Sequence, residues 1–94
     1  MLEDHVCWMG QLRLRYGISQ AELAKAAGVS RQLISQIELE HERQSSGHEA
    51  MIRRAFAEVI ASRRAALAHL EQDLEHIPWL FSMSNKSNGI KSRG

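Results

Sequence analysis

Apolar residues recur along this chain at three-and-four spacing, and polar or glycine positions cut the pattern into separate helices. Met9, Leu12 and Tyr16, with Val6 and Leu14 beside them, predict a first helix from Asp4 to about Tyr16, stopped by Gly17. Gly10 inside it lowers helix propensity by up to about 1 kcal/mol relative to alanine. A second helix, roughly Gln20 to Ala26, turns Leu23 and Ala24 inward. A third, Arg31 to about Leu39, turns Ile34 and Ile37 inward and leaves Arg31, Gln32, Ser35 and Gln36 on the opposite face. The polar stretch Glu40 to Gly47 reads as a loop. From His48 to about His76 there is neither proline nor glycine, which predicts one long helix or two nearly continuous ones. Within it Phe56, Ile60, Leu67, Leu70, Leu74 and Ile77 occupy a and d positions of one heptad frame, interrupted by Arg63. Pro78 ends the helix. Trp79, Leu80 and Phe81 then form a dense apolar cluster, and Ser82 to Gly94 has the composition of a disordered tail.

The start signals sharpen this picture. Ser19 and Glu22 form an S-x-x-E capping box, in which the serine bonds the N3 amide and the glutamate reaches back, with Ile18 and Leu23 at the positions of a hydrophobic staple. Ser30 is a second N-cap, with Val29 and Ile34 as its staple. Gly28 lies between, where a tight turn needs φ > 0. Two helices joined so closely cross at a large angle, the helix-turn-helix arrangement. Ser46 and Glu49 give a further S-x-x-E signal ahead of the long helix.

From Leu12 to Glu38 the chain carries the ordered pattern L-R-x-x-x-G-I-S-Q-x-E-L-A-x-x-x-G-V-S-R-x-x-I-S-x-I-E. This resembles the Xre/Cro-type, or lambda-repressor-like, helix-turn-helix family. The resemblance implies an all-α domain of about five helices, here with an extended C-terminal dimerisation helix. It also implies that Arg13 on the first helix and Glu38 at the end of the third pair inside the fold, and that Gln20 meets a DNA phosphate at a helix N-terminus. The chain departs from the family where Leu39 and Glu40 follow Glu38, because members usually place a glycine there. The third helix is therefore expected to run on for another turn, and Glu40 and Glu42 would repel phosphates.

In the major groove a recognition helix offers its N-terminal residues to base edges, with arginine suited to guanine and glutamine to adenine. Arg31, Gln32, Ser35 and Gln36 supply those groups within two turns; the plainer reading is an ordinary solvated face. Leu33 flanks them, to meet a thymine methyl or to pack on the domain. Gln20, Arg15, Lys25 and Arg43 are the candidate phosphate contacts, with Arg53 and Arg54 behind them. Net charge gives no help, since 12 Lys and Arg nearly balance 11 Asp and Glu.

The remaining chemistry is sparse. His69, Asp73 and His76 share one helical face, but their plain reading is solvated polar positions, so no metal and no cofactor is expected. The single cysteine, Cys7, reads as core filler. No nucleophile–base grouping suggests an enzyme. The N-terminal residues lack a basic-then-apolar leader pattern and no apolar run reaches membrane-spanning length, which together predict a cytoplasmic chain, at the nucleoid when bound to DNA.

The organisation expected is a DNA-binding domain over 1–60 with its motif at 19–38, a dimerisation helix and apolar cluster over 61–81, and a tail over 82–94. Leu67, Leu70, Leu74, Ile77, Trp79, Leu80 and Phe81 are the candidate dimer contacts. The expected function is a sequence-specific transcriptional regulator, a repressor, bound to double-stranded DNA as a homodimer on an inverted repeat. The alternative is an antitoxin-like module whose C-terminal helix binds a partner protein, DNA binding serving autoregulation.

Overall fold

The Ser19 hydroxyl accepts the Glu22 backbone N–H at 2.9 Å, and the Ser30 hydroxyl accepts that of Leu33 at 3.1 Å. These caps set the starts of two consecutive helices in a computed structural model that describes residues 6–83. Among the described residues the α-helices are α1 (Trp8–Arg15), α2 (Gln20–Ala27), α3 (Arg31–Leu39) and α4 (Ser46–His76), with a 3-10 turn at His41–Arg43 and no strand. The fold is all-α.

The first two connections are built alike. Gly17 (φ 63°) and Gly28 (φ 73°) take the left-handed conformation that ends α1 and α2. Beyond them the Ile18 amide reaches the Arg13 carbonyl at 2.8 Å, and the Val29 amide reaches that of Ala24 at 3.0 Å. Each closes a Schellman motif, so the chain reverses within two residues and carries a buried or half-buried apolar residue into the core.

Buried Ile18, Leu23, Ala24, Ile34, Ile52, Ala55 and Val59 form that core, with Met9, Met51 and Phe56 packed against it and Ile37 buried nearby. The central helix is α2, which lies against both α3 and α4. Leu23 and Ile34, the largest side chains fully withdrawn from water, clamp the helix-turn-helix pair together.

Several expectations are corrected. Cys7 is extended (ψ 167°) and precedes α1, so the helix starts at Trp8 and not at Asp4, which lies outside the described residues. Trp8 itself is exposed and Cys7 only half-buried. After Glu38, α3 does not gain another turn: it ends at Leu39 and tightens into the 3-10 turn. The cap of α4 is Ser45, whose hydroxyl accepts the His48 N–H at 3.2 Å, and Glu49 instead pairs with Arg53 one turn on, at 2.7 Å. The expected fourth and fifth helices are one continuous helix, as an uninterrupted run of helix formers allows. The tail beyond Met83 lies outside the described residues.

The first half of α4 belongs to the domain. Ile52, Ala55 and Val59 bury one stripe, and Arg63 extends the attachment one turn further. Its guanidinium donates to both carboxylate oxygens of Glu22 (3.2 and 2.8 Å) and to the backbone carbonyls of Tyr16 (2.8 Å) and Gly17 (2.9 Å). The heptad interruption is thus an arginine that closes the C-terminus of α1 and ties it to α2. The Glu22 carboxylate is held chiefly by Arg63, with a smaller contribution from the Ser19 backbone N–H. The hydrogen bond from Arg63 holds its pKa below the usual carboxylate range.

Candidate nucleic-acid interface

The capped start at Ser30 and the burial of Ile34 and Ile37 fix how α3 is rotated, and so which side chains it presents outward. Arg31, Gln32 and Gln36 are exposed on its first turns, and Ser35 is half-buried beside them. Leu33 is half-buried on the flank. The four polar residues therefore sit within two turns of one another, on a helix held from behind by α2.

A second set of interactions anchors the far end of α3. The Arg13 guanidinium donates Nε–H to Glu38 Oε2 at 2.9 Å and an Nη2–H to Oε1 at 3.0 Å, a two-point pair with both side chains about seven-eighths buried. Arg13 also donates to the Ile18 carbonyl at 3.0 Å. The Gln20 amide donates to Glu38 Oε1 at 2.8 Å, so α1, α2 and α3 meet on one carboxylate. Gly10 makes room for it: a methyl group there would stand 3.1 Å from Glu38 Oε2. The glycine that weakens α1 locally is the point where α1 approaches that carboxylate.

The network reaches the outer face through Gln20. Its carbonyl oxygen lies 3.5 Å from Arg31 Nη1, a long contact, while its amide is engaged by Glu38. Gln20 thus stands between the interior carboxylate and the first residue of α3, at the first position of α2, where unpaired backbone N–H groups favour an anion. Arg15, Lys25 and Arg43 are exposed, on α1, α2 and the 3-10 turn respectively. Arg53, also exposed, is partly neutralised by Glu49.

Sequence reasoning missed Ile52 and Val59 as the residues by which α4 supports this platform, and missed Arg63. The frame traced from Phe56 and Ile60 follows the neighbouring stripe of α4, which stays largely outside the core. Leu67, Leu70, Leu74, Ile77, Trp79, Leu80 and Phe81 are all exposed in the single chain, with the Trp79 and Phe81 rings edge to face at 5.5 Å. No described helix is long and apolar enough to cross a membrane.

The helix-turn-helix family model matches residues 9–51, from the first turn of α1 into the first turns of α4. No curated protein and no solved structure matches the chain. Over residues 9–51 the chain is thus similar to helix-turn-helix proteins of the Xre, lambda-repressor-like form, a similarity that points to DNA binding.

Proposed function

We propose that the protein is a sequence-specific transcriptional repressor that binds double-stranded DNA as a homodimer in the cytoplasm. Arg31, Gln32, Ser35 and Gln36 read base edges in the major groove. The N-terminus of α2 at Gln20, together with Arg15, Lys25 and Arg43, meets the phosphates. Residues 61–81 join two copies, so the operator is an inverted repeat whose symmetry mirrors the protein's.

The observation that carries this reading is the exposed polar face of α3 on a helix whose two ends are fixed, by the Ser30 cap and by the Glu38 network. A surface helix with no reading role has no need of such fixation, whereas base readout does, because a bidentate contact tolerates little movement. Arg31, exposed at the start of α3, adds a positive charge at the end of the helix that meets the bases. Selection of bound duplexes from a random pool tests the proposal. Enrichment of a two-fold symmetric sequence supports it; no enriched sequence at moderate salt removes it.

A further inference from the structure

Arg63, the one polar residue in the heptad frame of α4, has its guanidinium drawn away to Glu22 and to the carbonyls of Tyr16 and Gly17. What it leaves on the open face is its methylene stem. Around it, Ile60, Leu67, Leu70, Leu74 and Ile77 form an apolar stripe, each between 43% and 60% exposed in the single chain. The stripe begins beside a groove between α1 and α4 lined by Leu12, Tyr16, Phe56 and Ile60, and it ends at Trp79 to Phe81. So long a continuous apolar surface is more than a small monomer ordinarily leaves in water.

We infer that this face pairs with the same face of a second copy, antiparallel, about a two-fold axis between Ala68 and His69; the inference rests on the homodimer reading above. Antiparallel pairing sets each a position against a d position. With that axis Leu67 meets Leu70 of the second copy, Ile60 meets Ile77, and Arg63 meets Leu74, so the one interruption packs an aliphatic stem against leucine. The apolar cluster Trp79 to Phe81, just past the end of α4, is then carried to the end of the stripe where the second copy's groove beside Phe56 lies. A shift by one heptad in either direction leaves part of the stripe without an apolar partner.

Charge selects the same arrangement. The flanking residues Arg64 and Glu71 lie one heptad apart on one side of the stripe, basic toward the domain and acidic toward the end, with Asp73 and Glu75 beyond. Antiparallel pairing brings Arg64 to Glu71 of the second copy, twice by symmetry. Parallel pairing forfeits both contacts and sets Arg63 against Arg63. Rim pairs of this kind add little affinity but do choose orientation.

Spin labels at exposed His69 or His76, as His69→Cys and His76→Cys in a Cys7→Ser chain, distinguish the outcomes. The axial offset between the two copies is about 1.5 Å at residue 69 and about 22 Å at residue 76, so the inference requires a longer distance from the second label. Equal distances mean a parallel pair and overturn the orientation while leaving the homodimer reading intact. A chain that sediments as a monomer overturns both and gives the stripe to a different protein. As an independent check, Arg64→Glu raises the dimer dissociation constant by about tenfold and adding Glu71→Arg restores it; a swap without effect contradicts the charge pairing.

Discussion

Arg63 and Glu22, 41 residues apart, lie 2.8 Å from one another and join the long helix α4 to α2, the helix that supports α3. The same guanidinium closes the end of α1 through the Tyr16 and Gly17 carbonyls. The orientation of α4 relative to the helix-turn-helix pair is thus fixed at a point beyond the last core residue, Val59.

Removing this tie has a pH signature. The pKa of Glu22 is held below its ordinary value of 4.5 in the folded chain, so in acid the unfolded chain binds the proton first. The pair's contribution is therefore complete above the unfolded value and is lost as pH falls through the lower, folded one. Arg63→Met lowers the urea midpoint at pH 7, and the difference from the parent chain narrows as pH falls below about 4.5. A gap independent of pH assigns the effect to the two carbonyl contacts alone.

Glu38→Ala leaves Arg13 largely buried with no carboxylate and frees the Gln20 amide. A loss on the order of 3 kcal/mol is expected, measured by equilibrium unfolding in urea. Glu38→Gln, which keeps the shape and one acceptor, is expected to fall between the two. An unchanged midpoint for Glu38→Ala contradicts the anchoring role of this network.

Phosphate contacts and base contacts separate by salt. Lys25→Ala is expected to weaken binding equally on all duplexes and to reduce the slope of log affinity against log salt by about one. A slope left unchanged takes Lys25 off the interface.

Leu70→Asp places a charge on the apolar stripe next to the inferred axis. Because Leu70 lies outside the core, the helix-turn-helix domain keeps its helix content while sedimentation reports a monomer. A dimer of unchanged strength moves the interface elsewhere.

What could be read in advance divides by distance along the chain. Ser19, Ser30, Gly17 and Gly28 act on neighbours within five residues, so α2, the turn and the bounds of α3 were legible in the sequence. Arg13 and Glu38 are far apart, and only their place in a recurring family pattern drew attention to them. Arg63 and Glu22 had no such help, and each carried a convincing local explanation: a flaw in a heptad, and half of a capping box. Ser45 and Ser46 stand side by side, and Glu49 made the wrong one look like the cap. On α4 two apolar stripes run next to one another, so a single frame through Phe56 and Ile60 hid Ile52 and Val59 in the core stripe. The outward face of α3 was legible as a face, because burial of Ile34 and Ile37 settles it.

The central claim is that this face reads sequence. The most direct measurement is selection from a random duplex pool with the parent chain and, in parallel, with Gln32→Ala and Gln36→Ala, exposed positions whose loss leaves the fold intact. A symmetric enriched motif is expected for the parent, and in each variant a lost preference at the same position of both halves, worth about 1–3 kcal/mol there. An identical motif from all three proteins would contradict the claim.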